Sequence, residues 1–525
     1  MKDNKEFEIN KNLRLIFKSS AIFFIGMFLA KVLSYVYRVL IAREFGPEIY
    51  GVFSLAVMVA GWFMAFSALG LNEGLLRYIP FYRGREENEK IKYLFRFSLG
   101  ILIITSCISG IILFLFSDFI AVSIFNNETL AIFLKYFSIL VPLLVISHPF
   151  LEAMRSFEHI GWYSFIFNII QSIAKVAALA ILIVLGMGSD SIIFSYLFGM
   201  FCVLIGSYLF CRIKMPELFT GINLDKPEKR KLKIEILSYS IPLLFSAIVS
   251  TIFYWVDTFS LGYLKGAVAA GFYNAVIPIA LLVSILPELL MQLFYPLINK
   301  EYSRNNREII KQLSQQMGKW ILIINLPLVV LLLLFPNAAI NIIFGSEYLI
   351  GANALRILSI GTLISSIFII SSRIIFMMGK SKLLLTNIIA ATIINFILNF
   401  ILIPLPNILF LKNESGLVGA ATATLLSVLF LNVLFLIEAN YYLSIIPLRR
   451  KVFRIILVTA ISSFLLVTVR DFIGAATIIH IIFLVILFFL VYATLIWFTN
   501  CLDKYDLSIL KMIRSRIGFL KNVTP

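Results

Sequence analysis

The chain has 525 residues, of which 61% are hydrophobic and only 14% are charged. A water-soluble protein is about half apolar and about a quarter charged, so this composition excludes a soluble enzyme, a disordered protein and a secreted disulfide scaffold. Lysine and arginine total 45 against 28 acidic residues, which gives a formal net charge of +17. Such an excess is typical of nucleic-acid binding, but the apolar content has to be explained first.

Apolar segments of about the length that a bilayer core requires follow one another along the whole chain. They predict an all-α polytopic membrane protein with fourteen transmembrane helices. The polar stretches between the segments are too short to fold as separate domains. The fourteen predicted spans lie near 18–42, 50–76, 92–116, 133–154, 160–186, 190–212, 236–263, 271–298, 315–336, 353–378, 382–404, 416–442, 452–470 and 478–499.

The basic residues are unevenly distributed between the two sides of these predicted spans. With a cytoplasmic N-terminus, the inner loops 77–96 and 212–233 contain 6 and 7 Lys or Arg residues, and the outer loops after the third, fifth and ninth spans contain none. Basic residues concentrate on the cytoplasmic side of membrane proteins. We therefore predict a multi-pass protein of the inner or plasma membrane with both termini cytoplasmic, and no nucleic-acid partner.

A weak internal repeat relates the two halves of the chain at a shift of about 220 residues. Four regions align: Gly46 and Gly51 with Gly266 and Gly271, 125–128 with 344–347, Lys135 with Arg356, and Asn168 with Asn387. Each repeat contains six predicted spans. Because six is even, both copies enter the membrane in the same direction, and the pseudo-two-fold axis that relates the two bundles runs along the membrane normal.

The repeat divides the chain into four predicted parts. Two six-helix bundles enclose a cavity between them, and the last two helices lie outside the repeat. The parts are an N-terminal bundle, 1–212, a cytoplasmic linker, 213–235, a C-terminal bundle, 236–442, and two extra helices with a cytoplasmic tail, 443–525.

Charged residues inside predicted spans are the main candidates for function, because a charge in a bilayer costs several kcal/mol unless it is paired or faces water. The N-terminal half contributes the cations Lys31, Arg38 and Lys175, and the C-terminal half contributes the acids Asp257 and Glu288. A cationic half-cavity suits an anionic substrate such as a phosphate or pyrophosphate. The acids are candidates for coupling movement to H⁺ or Na⁺.

Uncharged polar residues extend the same helix faces at spacings of three and four residues. Alternative interpretations remain open at this stage. Arg38 would also suit an outer interface, the acids would also suit structural pairing with the cations, and the amide stripes would also suit contacts between helices. The predicted polar residues of the cavity are Tyr35, Asn168, Gln171, Asn395 and Asn399.

The sequence contains no pattern that is typical of an enzyme, a cofactor site or a metal site. The three histidines, His148, His159 and His480, lie in or beside different spans. There is no zinc-protease, serine-hydrolase or phosphate-loop motif. We therefore predict a protein that is not an enzyme and that binds no cofactor or metal beyond a coupling ion.

Residues 15–445 resemble the polysaccharide transporter, or oligosaccharide flippase, branch of the superfamily that includes the multidrug and toxin extruders. The individual motifs are short, and their order and spacing make the resemblance specific. The motifs are Arg38 followed by Phe45-Gly46-Pro47-Glu48-Ile49-Tyr50-Gly51, Gly70-Leu71 before Arg77-Tyr78, Trp255-Val256-Asp257 before Gly271-Phe272-Tyr273, and Phe344-Gly345-Ser346-Glu347-Tyr348.

This resemblance implies a transporter that flips a polyprenyl-(pyro)phosphate-linked oligosaccharide from the cytoplasmic to the outer leaflet by alternating access. Its product would serve the biosynthesis of a cell-surface polysaccharide or glycan, beside glycosyltransferases or a polymerase of the same pathway. Lys31, Arg38 and Lys175 would hold the anionic head group. One alternative is a cation-coupled multidrug exporter of the same fold, which would prefer an acidic cavity. The other is a membrane glycan polymerase or ligase, which would need a large outer loop that the sequence lacks.

Overall fold

The computed structural model describes residues 2–408, 410–446, 452–473, 478–499 and 501, with side chains from Leu29 onward except at 30, 293, 296, 473 and 478. The described chain is almost entirely helical. Its strands are the two-residue β1 (Asn407–Ile408) and β2 (Leu411–Lys412), which pair antiparallel. The predicted cytoplasmic tail from 502 onward lies outside the described residues.

The helices follow one another with short connections, and π-helical or 3₁₀ turns join several of them. They are α1 (Lys2–Ser67), α2 (Leu71–Arg83), α3 (Asn88–Asp118), α4 (Glu128–Ser156), α5 (Ile160–Ser164), α6 (Gln171–Val184), α7 (Asp190–Lys214), α8 (Lys226–Lys265), α9 (Ala267–Leu281), α10 (Ile285–Ser303), α11 (Arg307–Leu334), α12 (Pro336–Ile343), α13 (Ala352–Met377), α14 (Ser381–Leu402), α15 (Leu417–Leu443), α16 (Val452–Ile473) and α17 (Ile478–Phe498).

Thirteen helical segments among the described residues are long and apolar enough to cross a membrane. The predicted count of fourteen is therefore not confirmed. The difference arises in α1, where the segments predicted near 18–42 and 50–76 lie largely in one helical stretch, and Lys31–Ser67 is the first of the thirteen. The chain leaves helical geometry only at Gly46 and resumes it at Pro47, which is a favourable residue for starting a helix.

The two glycines at the start of the predicted repeat have the same unusual backbone conformation. Gly46 has φ 74° and ψ 179°, and Gly266 has φ 87° and ψ 179°. Glycine adopts such angles without the steric cost that a Cβ atom imposes. Each glycine interrupts a helical stretch that resumes at the next residue, so the two repeats use the same local device at equivalent positions.

A second pair of repeat positions, Gly51 and Gly271, brings α1 and α9 into backbone contact. A methyl group on Gly51 would overlap the carbonyl oxygen of Ala267, and one on Gly271 would overlap the carbonyl oxygen of Pro47. Pro47 and Ala267 also match at the same shift. The contact is therefore reciprocal, as expected where a pseudo-two-fold axis passes between two helices.

Two further repeat positions, Lys135 and Arg356, make comparable contacts with the preceding long helix. Lys135 on α4 forms an ion pair of 2.8 Å with Asp118 at the end of α3. Arg356 on α13 donates to the carbonyl oxygen of Leu333 near the end of α11, at 3.0 Å. A cation suits the C-terminal end of a helix in both places. The arrangement of α3 with α4 thus corresponds to that of α11 with α13.

Helix contacts group the chain into two compact units of discontinuous segments. The first unit comprises Met1–Pro278, Ile343–Gly351 and Ile388–Ala423. Aromatic side chains form much of its interior: Tyr50, Phe95, Phe133, Phe137, Tyr273, Phe344 and Tyr348 are each less than 2% exposed. The sequence-derived boundaries of the two bundles are a different division of the chain and stay a prediction.

The second unit comprises Ile279–Ile342, Ala352–Asn387 and Thr424–Pro525. Its core is aliphatic and centres on α11, where Ile310, Met317 and Ile321 are fully buried. The last two helices pack against α11, and the hydroxyl of Tyr492 on α17 donates to the carbonyl oxygen of Ile323 at 2.8 Å. The two helices outside the repeat are thus attached to this unit.

Candidate functional site

Arg38 and Lys175 are two positive charges inside the first unit that lie within electrostatic range of each other. Arg38 lies on α1 and Lys175 on α6, and the two charges are near enough to repel each other. The Lys175 side chain is only 8% exposed. Neither side chain forms an ion pair with a carboxylate in the described part of the chain. Two uncompensated cations in a membrane protein are costly unless an anion or water reaches them.

Aromatic rings hold the Lys175 ammonium group without neutralising it. Its Nζ lies 4.7 Å from the ring centroid of Tyr196 and 5.7 Å from that of Tyr37, within the range of cation–π attraction. The Tyr37 hydroxyl is fixed by Ser195 Oγ at 3.0 Å and donates to the carbonyl oxygen of Ile192 at 3.2 Å. No carboxylate among the described residues therefore neutralises the positive charge at Lys175.

Tyrosine hydroxyls surround the guanidinium of Arg38 in a similar way. Arg38 interacts electrostatically with Tyr50, Tyr254 and Tyr196. The Tyr50 hydroxyl donates its proton to the carbonyl oxygen of Asn274 at 3.2 Å. Its own oxygen is therefore left to accept a hydrogen bond from Arg38. The Tyr50 oxygen accepts a hydrogen bond from the guanidinium, and none of the three neutral hydroxyls carries an opposite charge.

Gly199 on α7 leaves the space through which the Lys175 stem passes. A methyl group at Gly199 would overlap Lys175 Cγ and would lie 3.1 Å from the carbonyl oxygen of Gln171. Glycine is thus required for the close approach of α6 and α7 at this level. The position of the Lys175 ammonium group depends directly on this contact.

The other predicted residues on α1 lie near this pair but do not join it. Lys31 is half-buried and lies seven residues before Arg38, on the same helix face and about 10 Å away along the axis. The Tyr35 hydroxyl donates to the carbonyl oxygen of Pro278 at 2.7 Å and so connects α1 to α9. The structure therefore brings two of the three predicted cations together and places the third two turns away.

Asn168 and Gln171 lie one to two turns before Lys175 on the same continuous helix. Asn168 is part of a π-helical turn, Phe165–Ile170, and donates to Ser164 Oγ at 3.2 Å. The Gln171 amide contacts the sulfur of Met200 at 2.8 Å. Both side chains are half-buried. Single π-helical turns of this kind are often found at functional sites.

A second polar cluster in the first unit centres on Asp257. One carboxylate oxygen of Asp257 accepts from the Tyr273 hydroxyl at 2.8 Å, and the other accepts from Asn399 Nδ2 at 2.8 Å. Asn399 also donates to the backbone oxygen and to Oδ1 of Asn395, both at 3.0 Å. Asp257 is 8% exposed, and both asparagines are essentially buried. Three residues predicted from the sequence thus form one hydrogen-bonded group.

Glu288, the other predicted acid, is exposed on α10 and belongs to the second unit. The two candidates for ion coupling therefore lie in different units. In the part of the chain that the structure describes, His, Cys, Asp and Glu side chains form no group of three or more that suits a metal ion.

Several buried polar residues were missed by the sequence analysis. Lys319 on α11 is completely buried, although it lies near the start of a predicted span, where a lysine usually reaches water. Glu152 is 6% exposed, and both of its oxygens accept from Arg155 Nη1, at 2.9 and 3.1 Å. The only sequence feature that could have indicated these buried residues is the presence of a charged residue near the end of a predicted span.

Known proteins resemble this chain in sequence and in fold. A Shigella flexneri protein described as an O-antigen transporter is 24% identical over 354 residues, covering 65% of this chain and 80% of the relative. The probable low-salt glycan biosynthesis flippase Agl15 of Haloferax volcanii is 24% identical over 282 residues, 54% and 55% of the two chains. The solved lipid II flippase MurJ in its inward closed conformation superposes with a TM-score of 0.66 at 16% identity, covering 90% and 98%.

The all-α polytopic fold predicted from the sequence is confirmed by this superposition. A multidrug-extruder model, MatE, matches residues 242–401. The model described as "Polysaccharide biosynthesis protein" matches residues 16–300, more than half of the chain. The predicted resemblance is therefore confirmed, and the chain belongs to the polysaccharide biosynthesis protein family.

Proposed function

We propose that the protein flips a polyprenyl-(pyro)phosphate-linked oligosaccharide from the cytoplasmic to the outer leaflet by alternating access. The observation that carries this proposal is the pair of uncompensated cations Arg38 and Lys175. A phosphate or pyrophosphate would lie between them, and its charge would relieve their mutual repulsion. Charge-assisted hydrogen bonds from both cations to phosphate oxygens are the strong kind of polar contact.

The physical problem that such a protein solves is the transfer of a polar head group through hydrocarbon. Each hydroxyl that loses its water costs several kcal/mol unless another partner replaces it. The lipid tail can remain in the bilayer while the head group moves through the protein. The half-buried amides Asn168 and Gln171, close to Lys175 along the helix, would supply hydrogen bonds to the sugars.

The names of the relatives support a lipid-linked glycan as the substrate class. The Shigella flexneri and Haloferax volcanii relatives are described as an O-antigen transporter and a glycan biosynthesis flippase. Both descriptions concern surface glycans. The product of this protein would likewise enter the biosynthesis of a cell-surface polysaccharide or glycan.

The Asp257 cluster is the proposed site of ion coupling. A carboxylate and amide oxygens are ligands that suit a hard cation such as Na⁺, and protonation of the carboxylate would serve the same purpose with H⁺. Asn399 Oδ1 is buried without a hydrogen-bond partner in the described part of the chain, so an acceptor is present for a cation. Glu288 is the second proposed coupling residue.

A cation-coupled multidrug exporter is the alternative function, and the match of the MatE model to residues 242–401 favours it. Arg38 and Lys175 argue against it, because cationic drugs would be repelled by two uncompensated positive charges. A glycan polymerase or ligase has less support, since the described connections between helices are short.

We further propose the orientation and surroundings of the protein. Both termini face the cytoplasm in the inner or plasma membrane, as the distribution of basic residues between the loops predicts. Glycosyltransferases that assemble the lipid-linked glycan would act before this protein, and a polymerase or ligase would act after it.

The proposal is tested with the purified chain in vesicles whose inner leaflet contains a radiolabelled polyprenyl-diphosphate-linked oligosaccharide. A glycosidase outside the vesicles releases label only from molecules that have reached the outer leaflet. We expect release that depends on the protein and is lost in the Arg38→Gln variant. Release no faster than from protein-free vesicles, together with uptake of the cationic dye ethidium, would favour the drug exporter.

A further inference from the structure

A basic pocket lies at the ends of three helices of the first unit, away from Arg38 and Lys175. Its volume is about 950 Å³, and the end of α2, the start of α3 and the first three turns of α8 form its walls. Two acidic residues, Glu228 and Glu235, also line it. The basic residues that line this pocket are Arg85, Lys90, Lys226, Arg230 and Lys231.

Most of this positive charge is not balanced by an ion pair among the described residues. Lys90 is the exception, because it pairs with Glu87 at 3.0 Å. Among the acids, Glu235 accepts a hydrogen bond of 2.7 Å from the Tyr82 hydroxyl. The other four cations form no ion pair with any residue that the structure describes. The pocket therefore presents a net positive charge to whatever enters it.

Apolar side chains stand beside these cations. Phe81 and Ile234 line the same pocket and are 45% and 57% exposed. The guanidinium of Arg85 lies 4.3 Å from the centre of the Phe81 ring. This apolar surface would add nothing to the binding affinity of a soluble anion, which has no apolar part to bury. A phosphate carried by a lipid would place its head group on the cations and its first methylene groups on these side chains.

The position of the pocket along α8 also favours a lipid. The first ten residues of α8 contain five basic residues, and the helix then continues as an apolar membrane span. The pocket thus lies where a membrane-spanning helix emerges from the bilayer. Basic pockets between membrane helices at this level bind lipid head groups in other proteins.

We propose that this pocket binds the phosphate group of an anionic membrane lipid. The site is separate from the proposed transport site and does not depend on the proposed function. Its ligand bridges α2 and α8 at the membrane surface.

The test compares two variants of the full-length chain that lose the same charge from the same helix. R230Q/K231Q removes two cations that line the pocket, and K229Q/K233Q removes two neighbouring cations that do not. Each purified protein is delipidated in detergent and titrated with phosphatidylglycerol, and bound lipid is counted by native mass spectrometry. R85Q/K226Q is a second pocket variant, in which one of the changed residues lies in the turn between α2 and α3 and not on α8.

We expect both pocket variants to bind phosphatidylglycerol roughly tenfold to thirtyfold more weakly, since each basic residue near an anionic lipid contributes about fivefold in affinity. The matched control should change affinity by no more than about threefold. Equal losses in pocket and control variants would overturn the proposal in favour of diffuse surface charge. Equal binding of phosphatidylcholine, or displacement of the lipid by an equal concentration of glycerol phosphate, would also overturn it.

Discussion

Gly51 and Gly271 occupy equivalent positions in the two repeats and contact each other across α1 and α9. A methyl group on Gly51 would lie 2.9 Å from the backbone nitrogen of Gly271, and one on Gly271 would lie 3.0 Å from that of Gly51. This reciprocity relates the two repeats more directly than sequence similarity does. Because small residues allow helix backbones to approach closely in membranes, the crossing depends on glycine in both copies.

The Gly51→Ala and Gly271→Ala variants should each be less stable than the wild type. Each new methyl group meets backbone atoms on the opposite helix, which cannot rotate away, and overpacking of this kind costs about 1–3 kcal/mol or more. Thermal unfolding of the purified protein in detergent measures the effect. Gly100→Ala is the matched control, because a methyl group at Gly100 would meet nothing within 4 Å. Unfolding temperatures that match this control would show that the close crossing is not required.

The Lys175→Gln variant should accumulate normally but lose transport. The substitution keeps a polar side chain, one atom shorter, and removes its charge. A charged hydrogen bond contributes about 1.5–3 kcal/mol, so we expect a reduction of roughly tenfold to a hundredfold. The vesicle assay described above measures the rate. Lys135→Gln is the control, because that lysine is partly exposed and paired with Asp118. Unimpaired transport by a Lys31→Ala/Lys175→Ala double variant would contradict a role for these cations.

Much of this site could be predicted from the sequence, and the missing part has a physical explanation. Polar residues inside apolar runs are easily recognised, and here they recur at helical spacing. This pattern identified Lys175, Asp257, Asn395 and Asn399. Tyr196 was not identified, because an aromatic residue in a span is also an ordinary apolar one. Its role depends on contacts with Lys175 on α6 and with Arg38 on α1, and spacing along a single helix does not reveal contacts between helices.

The fold was predicted in a similarly uneven way. The match between Gly46 and Gly266 was one of four that indicate an internal repeat, and the two glycines have nearly the same dihedral angles. The count of fourteen spans is not confirmed, because apolar runs on both sides of Gly46 predict two helices whether they are joined by a loop or continue through a single irregular residue. Hydropathy gives the length of an apolar segment. It does not distinguish two helices joined by a loop from two helices joined at a single irregular residue.

The Gly199→Ala variant should reduce transport by displacing Lys175. The new methyl group would overlap Lys175 Cγ, so the ammonium group would have to move relative to Arg38. If Gly199 acts only through Lys175, adding Gly199→Ala to Lys175→Gln should reduce the rate little further, and the double-mutant cycle should show a coupling of about 1 kcal/mol or more. Additive losses in transport would instead indicate a general effect on the packing of α6 against α7.

The Asp257→Asn variant should fold but turn over slowly and without dependence on an ion gradient. An amide has one acceptor oxygen where the carboxylate has two, so either Tyr273 or Asn399 loses its acceptor, and a buried polar group left unpaired costs about 1–3 kcal/mol. Loss of the negative charge also removes the group that would bind H⁺ or Na⁺. We expect turnover in vesicles to fall by about tenfold or more.

The decisive measurement for Asp257 is the response of transport to imposed proton and sodium gradients. The wild type should respond to at least one gradient, and the Asp257→Asn variant to neither. Asp118→Asn is the control, since Asp118 is an exposed partner of Lys135 at the end of α3, and Glu288→Gln tests the second predicted acid in the same assay. Wild-type transport that is indifferent to both gradients would remove the coupling role from both acids. The buried hydrogen-bonded cluster around Asp257 would then serve only to hold α8, α9 and α14 together.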